Sequence, residues 1–448
     1  MMGEQFQSFG RTRVASRKSL GAREAIALLK TRQAPTNGML AFGNGRSYGD
    51  SCHNDFGVLA AMGGMNAIMS FDPDSGLMEA QAGVLLSQVI ATAAPHGFFP
   101  AVVPGTQYVT LGGAIANDVH GKNHHLRGSF GRHVEALTLL RSDGVERRCS
   151  RTENPALFAA TLGGMGLTGL ILKVTLRLMP VSSVDIVQSV QPFSNLEDYF
   201  SRAEAIDRAH EYSVAWVDQL ASGKNAGRGL LISGDHATES APRSEAKLPL
   251  AVPFVPPVSP LNRLSLGLFN RGYRWAQSRK PGLHLTRFES FFFPLDGVKN
   301  WNRLYGPKGL FQHQSVVPLD SAFETVPLLL KAARDAGQAS FLTVLKRFGS
   351  LKQPGVLSFA REGYTLTLDF PNRGASTLAL LERLDAITAD AGGAVNPYKD
   401  SRMPAQMFAR SFPDWRMLEA LRDPAFVSDF WRRTALRLPS AAMGLAAE

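Results

Sequence analysis

Cysteine is nearly absent from this 448-residue sequence, which contains only Cys52 and Cys149. Two cysteines exclude a disulfide-rich scaffold and fit a reducing compartment. Long hydrophobic runs are also missing, because no stretch approaches the roughly 20 apolar residues that a transmembrane helix needs. Residues 1–18 lack the apolar centre of a secretory signal. We therefore expect a cytoplasmic protein without a membrane-spanning segment.

Acidic residues are fewer than basic ones. The chain has 48 Lys and Arg against 38 Asp and Glu, a net charge of +10. Such a balance favours anionic partners, namely nucleic acid, anionic lipid or phosphorylated molecules. No nucleic-acid-binding motif accompanies the charge. The sequence therefore favours a phosphate-bearing small molecule and a peripheral contact with a membrane surface, and no nucleic acid.

The overall composition is that of a globular protein, with 44% hydrophobic and 19% charged residues. A chain of this length predicts two or three domains. Strands and a hairpin are predicted within residues 75–178, with the hairpin turn at Asp143 and Gly144 and the last strand ended by Pro180. A helix is predicted over 86–94, with Ser87 as its cap, and another over 158–162.

Residues 103–134 are dense in glycine and contain four of the ten histidines, at positions 120, 124, 125 and 133. Glycine lets the backbone approach a ligand closely, and successive amides can point at a phosphate or a ring system. A set of tight turns in an irregular core explains the composition equally well. Two more glycine-rich stretches, 41–51 and 163–169, flank this one. The first is not the dinucleotide motif GxGxxG, because Tyr48 stands in place of the third glycine.

The second half of the chain changes character. Strands are predicted over 213–218, 340–348 and 364–370, and a helix carries Leu380, Leu384, Ile387 and Ala391 on one face. These elements indicate an antiparallel sheet covered on one side by helices. We expect a polar loop over 221–247, an exposed loop over 396–404 and a last helix over 423–438.

Five prolines between residues 248 and 261 exclude a regular helix or a central strand there. This segment is either a mobile lid or lipid-facing surface, or else an ordered, packed loop. Residues 262–275 mix arginines with aromatic side chains. That mixture fits a membrane interface, and it also fits an ordinary amphipathic helix.

The three glycine-rich stretches and the second domain together resemble the vanillyl-alcohol-oxidase family of flavoproteins. Within that family, HGKNHH, WNRLYGP (301–307), SFLTVLKRFG and YKDSR resemble the decaprenylphosphoryl-β-D-ribose 2-oxidases. The resemblance covers residues 10 to about 438, and HGKNHH is its most specific part. It implies an α+β fold with an FAD-binding (PCMH-type) domain over 1–183 and a substrate domain over 184–395. That second domain would carry the Pro-rich segment near 246–275, and residues 396–448 would return to the FAD domain.

The resemblance also implies which residues bind FAD. Arg46 stands where some relatives carry a histidine that is covalently bound to the flavin, so we expect non-covalent FAD. The implied cofactor-binding residues are Gly43, Asn44, Gly45, Arg46, Ser47, Tyr48, Pro104, Gly105, Thr106, Thr110, Gly112, Gly113, Ala116, Asn117, His120, Gly121, Asn123, Gly166, Gly169 and Lys399.

Catalysis would involve His120, Lys122 and Lys399. Reduced flavin is anionic near N1, so Lys399 is our candidate for the cation that stabilises it. His120 is our first candidate for the proton acceptor. The implied substrate-binding residues are Lys122, Trp216, Tyr305, Gln312, Gln314, Lys346 and Thr367. Thr367 replaces a cysteine of the family, a change that leaves hydride transfer possible.

The implied reaction oxidises the C2 hydroxyl of a polyprenylphosphoryl pentose to a ketone, which a separate short-chain reductase would then reduce. Quinone or oxygen would accept the electrons, and the product would be a cell-wall polysaccharide precursor made at the inner membrane face. A sugar-lactone or alditol oxidase, similar to the D-arabinono-1,4-lactone oxidases, is the alternative enzyme. A non-catalytic lipid- or anion-binding protein is the alternative outside enzymes.

Metal binding by His120, His124 and His125 is a further alternative. The i, i+4 spacing would put two of them on one helical face. Gly121 disfavours that helix, and no glutamate lies between the histidines as in HExxH. We therefore predict no metal.

Overall fold

The computed structural model describes residues 6–13, 15–240, 250–280 and 282–439. The strands of the first half are β1 (Lys18–Gly21), β2 (Met39–Phe42), β3 (Val58–Ala61), β4 (Ile68–Phe71), β5 (Leu77–Gln81), β6 (Phe98–Phe99), β7 (Val134–Leu140), β8 (Glu146–Ser150), β9 (Leu170–Arg177) and β10 (Met179–Pro180). Those of the second half are β11 (Ile186–Phe193), β12 (Tyr212–Val217), β13 (Gly229–His236), β14 (Leu250–Ala251), β15 (Leu283–Thr286), β16 (Val298–Lys299), β17 (Leu310–Val317), β18 (Thr343–Phe348), β19 (Gly363–Pro371) and β20 (Ala394–Val395).

The helices alternate with these strands along most of the chain. They are α1 (Ala22–Lys30), α2 (Leu86–Ala93), α3 (Leu111–Ala116), α4 (His124–Arg127), α5 (Pro155–Thr161), α6 (Leu196–Ala209), α7 (Arg263–Gln277), α8 (Phe288–Phe292), α9 (Leu319–Asp335), α10 (Ala375–Asp390), α11 (Ala405–Ser411), α12 (Trp415–Leu421) and α13 (Asp429–Arg433). The predicted α+β class is confirmed.

Two sheets occupy the first half of the chain. Strands β1, β3 and β2 form a parallel sheet, and β4, β5, β9, β7 and β8 form a five-stranded antiparallel sheet in that order. In β9, Leu172, Val174 and Leu176 are buried while Lys173 is exposed. The predicted alternation is therefore confirmed. One apolar core joins this sheet to α2, α3 and α5.

The second half forms an eight-stranded antiparallel sheet in the order β15, β11, β13, β12, β18, β19, β17, β20. Helices α6, α9 and α10 cover one face through residues such as Leu366 and Leu368. Side chains alternate between the two faces of a strand, so the intervening residues of β19 point to the opposite face. That face carries Thr365, Thr367 and Asp369, all buried. A half-buried strand would expose them to water, so another part of the molecule must cover this face.

The last part of the chain packs beside the glycine-rich loops. Met39 exchanges backbone hydrogen bonds with Ala425 and Val427. The guanidinium of Arg433 donates to Asp50 and to Asp400. An apolar cluster that includes Phe408, Phe430 and Trp431 reaches Leu40 and Leu59. The boundaries proposed at 183 and 395 stay predictions.

Three loop and helix predictions were wrong. The polar loop expected over 221–247 contains strand β13, which pairs with β11 and β12, while residues 241–247 of that prediction lie outside the described residues. The loop over 396–404 is largely buried, because Asn396 and Asp400 cap its own backbone amides. A single helix over 423–438 does not form, because Asp423 accepts bonds from Ser142 and from the amide of Ala425, so α13 starts later.

Smaller differences concern element ends. Ser87 lies inside the first turn of α2 and is not its cap. Strand β9 ends at Arg177, and Pro180 pairs with Phe98 in a separate two-residue ladder. Residues 262–275, for which an amphipathic helix was one of two alternatives, form α7, with the Asn262 side chain accepting from the amides of Leu264 and Ser265. Among the described residues, no helix is long and apolar enough to cross a bilayer.

Candidate active site

A large cavity lies between the glycine-rich loops and the open face of the eight-stranded sheet. Its empty volume is about 1970 Å³, including the solvent at its mouth. The loops supply one wall, and β17, β18 and β19 supply the other. The loop wall therefore covers the face of β19 that the helices leave open, which explains why the polar residues of this strand are buried.

Most of the predicted site residues line this cavity. From the cofactor set these are Gly43, Asn44, Gly45, Arg46, Ser47, Tyr48, Pro104, Gly105, Thr106, Thr110, Gly112, Gly113, Ala116, Asn117, His120, Gly166, Gly169 and Lys399. From the substrate set they are Gln312, Gln314, Lys346 and Thr367. Residues more than 350 positions apart in sequence thus face one another.

Contacts between the loops fix their shape. Thr110 caps α3 by accepting from the amide of Gly113 at 3.1 Å. A Cβ added at Gly43 would lie 2.5 Å from Oγ1 of Thr110, so only glycine fits there. Asn44 donates to the carbonyl of Tyr108 at 2.7 Å. The first and second glycine-rich stretches therefore form one continuous wall.

The third glycine-rich stretch joins the same wall. The amides of Gly163 and Met165 donate to Ile115 and Ala116 at the end of α3. Gly166 has a φ of 73°, in the left-handed region that glycine tolerates. This turn closes the cavity beside α3.

Arg46 carries positive charge into the cavity. It is partly buried, and burial lowers the pKa of its guanidinium despite the opposing attraction of Asp296. Its Nε has no hydrogen-bond partner among the described residues. An unpaired buried donor is costly, so this group fits an anionic or acceptor-bearing ligand.

Lys346 and Lys399 form a second basic group on the sheet side. Burial lowers the pKa of Lys346 to about 7, with a further contribution from Lys399. Burial also lowers the pKa of Lys399 to about 8, and Asp369 opposes that shift. Nζ of Lys399 lies 4.2 Å from the centre of the Tyr48 ring. Both amines therefore titrate close to neutral pH.

The sequence analysis missed Asp369, which accepts from Nε2 of Gln312 at 2.5 Å. Burial raises the pKa of this carboxyl to about 7. Asp369 pairs directly with Gln312 in the ladder between β17 and β19. Asp369 is the single acidic residue of β19, and this was the feature of the sequence that could have revealed it. Asp369 lies behind the cavity wall, whereas Asn396, Tyr398 and Asp296 line the cavity and were not predicted either.

Five predicted residues lie outside the cavity lining. Lys122 is buried against Phe291, to whose carbonyl its Nζ donates, and burial lowers its pKa to about 7. Trp216 packs on Tyr273 at 5.0 Å between ring centres. Tyr305 packs beside Trp301, which does line the cavity. The other two residues are Gly121 and Asn123.

Gly121 and Asn123 shape the loop instead. The carbonyl of Gly121 accepts from Nζ of Lys346 at 3.2 Å. Asn123 donates to the carbonyl of Ala101 and to Glu211. Their roles as direct cofactor contacts stay predictions.

The clustered histidines have protein partners. His124 accepts from the amide of Gly349 and contacts Gln353. His125 contacts the carbonyl of His210 at 3.0 Å. Elsewhere in the described residues, His53, Asp55 and Asp429 bring ligand-type atoms together. Both ring nitrogens of His53 already contact Ser8 and Arg17, and Arg13 and Arg17 pair with Asp55. Ion pairs explain that cluster without a metal.

The residues present fit FAD. Close-approach glycines and the unpaired Arg46 donor suit a diphosphate and a ring system. When bound, FAD accepts a hydride. Lys346 and Lys399 face the same cavity, where their ammonium forms can bind a negatively charged group.

Comparisons with known proteins also indicate an FAD-binding protein. A family model described as an FAD binding domain matches residues 22–150. The decaprenylphosphoryl-β-D-ribose oxidase of Mycolicibacterium smegmatis is 34% identical over 97% of this chain and 98% of its own length. A Streptomyces coelicolor protein, described as an uncharacterized protein in the mprA 5' region, is 35% identical over 79% of this chain and its full length. The L-gulonolactone oxidase of Mus musculus is 31% identical over 40% of this chain and 41% of its own.

Fold, cavity and comparisons define an FAD-dependent oxidoreductase. The predicted enzyme class and cofactor are confirmed. Within that class, the chain belongs to the family of decaprenylphosphoryl-β-D-ribose oxidases.

Gly105→Val tests the cofactor wall. A Cβ at Gly105 would meet nothing within 4 Å, so the fold should tolerate valine, which would instead occupy cavity space. We expect FAD affinity to fall by about tenfold or more, equivalent to about 1.4 kcal/mol. Fluorescence titration of the apoprotein with FAD measures this.

Gly64→Val is the matched control. A Cβ at Gly64 also meets nothing within 4 Å, and Gly64 does not line the cavity. Equal FAD affinity in the two variants would show that Gly105 does not approach the cofactor.

Proposed function

We propose that this chain oxidises the C2 hydroxyl of a polyprenylphosphoryl pentose similar to decaprenylphosphoryl-β-D-ribose, giving the 2-keto sugar. The observation that carries the proposal is the wall of Gln312, Gln314, Lys346 and Lys399 opposite the FAD loops. Its amide oxygens can accept from sugar hydroxyls, and the ammonium of Lys399 suits an anionic group. The near full-length similarity to the Mycolicibacterium enzyme supports the same substrate class.

This reaction is the first half of an epimerisation at C2. A separate short-chain reductase would return the ketone to the inverted alcohol, and quinone or oxygen would reoxidise the flavin. The product would serve as a cell-wall polysaccharide precursor. FAD is held without a covalent bond, because the first glycine-rich stretch offers Arg46, which is no nucleophile at neutral pH.

Lys399 supplies the fixed cation for the reduced cofactor. It lies in the cavity wall, where a low dielectric strengthens its interaction with developing negative charge. Asp369 raises the pKa of Lys399 against the effect of burial. The carboxyl therefore helps to keep Lys399 charged.

A sugar-lactone or alditol oxidase is the second candidate. The similarity to L-gulonolactone oxidase favours it, although that similarity covers 40% of this chain. A non-catalytic lipid- or anion-binding protein would not need the three interlocked glycine-rich loops.

Anaerobic flavin reduction separates these candidates. We expect bleaching of the flavin by a polyprenylphosphoryl ribose and no reduction by free ribose, L-gulonolactone or xylitol at equal concentration. Stopped-flow absorbance records it. Reduction by the soluble compounds alone would establish the second candidate, and no reduction by any of them would contradict the proposed reaction.

A peripheral contact with an anionic membrane surface is also proposed, and α7 would make it. Leu264, Leu268, Arg271 and Trp275 follow an i, i+4, i+7, i+11 spacing and are all exposed. This spacing puts them on one face. The exposed fractions are 75% for Leu264 and 58% for Trp275. The guanidinium of Arg279 lies 4.0 Å from the Trp275 ring centre, which places cation and apolar surface together.

The Pro-rich segment adds to this surface and connects it with the cavity. Phe254 and Val258 are exposed by 68% and 79%. Ser259 donates to the carbonyl of Leu304 at 2.8 Å, next to the Trp301 segment of the cavity wall. We propose that this surface holds the lipid in the membrane while the linked sugar enters the cavity.

Leu264→Glu combined with Leu268→Glu tests the contact. Two carboxylates on this face should weaken binding to vesicles of phosphatidylglycerol by about tenfold or more, since each buried leucine contributes roughly 1.5–3 kcal/mol. Co-sedimentation measures it. Leu328→Glu is the control, because Leu328 is a 52% exposed leucine on α9. An equal loss in the control, or no loss in the double variant, would contradict the contact.

A further inference from the structure

A chain of hydrogen bonds anchored on the backbone runs into the active site. The Asn396 side-chain oxygen accepts from the amide of Tyr398 at 2.9 Å. A backbone N–H can only donate, so this contact fixes which way the Asn396 amide points. Its Nδ2 must then donate to Oε1 of Gln314, 2.8 Å away.

The orientation of Gln314 follows. Because its oxygen accepts from Asn396, its Nε2 is the atom that lies 3.1 Å from Nε2 of His120 and 3.1 Å from Oγ1 of Thr365. Turning either amide over would place N–H groups against N–H groups. Gln314 therefore donates to His120, and Nε2 of His120 is an unprotonated acceptor.

The position of the proton on the His120 imidazole determines the protonation state of Lys346. A neutral imidazole carries one proton, which here must lie on Nδ1. Nδ1 is 3.2 Å from Nζ of Lys346. The carbonyl of Gly121 also accepts beside this ring, but an ammonium has no acceptor, so an Nδ1–H group that faces Nζ favours a neutral amine. Lys346 is that amine, and one of its own N–H groups donates to the carbonyl of Gly121.

The surroundings agree with a neutral Lys346. The titratable groups that act on it or respond to it are His120, His124, Lys122 and Lys399. Each of these would carry positive charge when protonated, and the nearby carboxyl of Asp369 acts on Lys399. The His120 ring lies 4.8 Å from that of Phe348, so this junction is apolar on one side. Burial lowers the pKa of His120 well below its usual value.

We propose that neutral Lys346 is the catalytic proton acceptor, and that His120 is a positioning residue held in its Nδ1–H form by Gln314 and Asn396. This rests on the proposed oxidation. The hydroxyl proton passes to Nζ of Lys346 as the C2–H hydride passes to FAD, which gains two electrons, and the C2–O bond becomes a double bond. For this transfer the amine turns its single lone pair from His120 Nδ1–H to the hydroxyl, and the ammonium that results no longer accepts a bond from His120.

The role of proton acceptor thus moves from His120, our first candidate, to Lys346. The lone pair of His120 Nε2 accepts from Gln314, whose amide is itself fixed by Asn396 and Thr365. The amine of Lys346 ends a flexible side chain and can turn its lone pair from His120 to the hydroxyl. The amine of Lys346 lines the cavity, and an acceptor that titrates near neutrality is efficient at neutral pH.

Gln314→Glu tests the chain. A carboxylate would accept from Nε2–H of His120, leaving Nδ1 free to accept from a Lys346 ammonium. Nitrogen-15 NMR of histidine-labelled holoenzyme should show the Nδ1–H form of His120 in the wild type and the Nε2–H form in the variant. The His120→Asn spectrum assigns the signal. This readout does not depend on turnover, so it stands apart from any failure of the proposed function.

Kinetics provide the second readout. Anaerobic flavin reduction should speed up with rising pH as Lys346 loses its proton, and Gln314→Glu should move the midpoint upward by about one pH unit or more, because the variant stabilises the ammonium. Lys346→Met should slow reduction roughly 10²–10⁴-fold while FAD stays bound.

Gln312→Glu is the charge-matched control. It adds the same charge to the same strand but contacts Asp369 instead of His120. We expect His120 to keep its Nδ1–H form there. Nε2–H in the wild type, an unmoved midpoint in Gln314→Glu, or an unchanged reduction rate in Lys346→Met would each overturn the proposal.

Discussion

The junction between His120 and the eight-stranded sheet organises this molecule. His120 belongs to the glycine-rich loops, whereas its partners Gln314 and Lys346 belong to β17 and β18. These contacts join the FAD side of the cavity to the substrate side. Because buried polar groups are costly without partners, the fit is specific: the loop must reach the sheet at the one position where both ring nitrogens are satisfied.

Charge in the cavity follows from the same constraint. Lys346 and Lys399 are both buried on the sheet side, with Asp369 as the neighbouring carboxyl. Burial disfavours charged amines, so the site can hold two lysines only if their protonation is easily changed. A reduced flavin favours the charged form of Lys399, whereas accepting a proton requires the neutral form of Lys346. The two lysines can thus take different roles because their protonation differs.

Much of this could be predicted from sequence, and the failures have physical causes. The glycine-rich stretches and the alternation in β9 were visible because each is a local pattern, whereas the two lysines of the cavity were expected only from the family resemblance. The pairing of Gln312 with Asp369 was not, because strand register is set by the whole sheet. The loop over 396–404 seemed exposed because it is polar, yet its polar groups satisfy its own backbone and Gln314. Trp216 and Lys122 were expected in the pocket and instead pack beside it.

The account depends most on FAD being held in this cavity by non-covalent contacts. The direct measurement is the visible absorption spectrum of the purified protein, repeated on the supernatant and pellet after acid precipitation. The account predicts flavin bands in the native protein that move entirely into the supernatant. Bands that stay with the pellet would mean a covalent bond and a different alignment of the loop around Arg46. A protein that shows no flavin, even after FAD is added, would contradict the account.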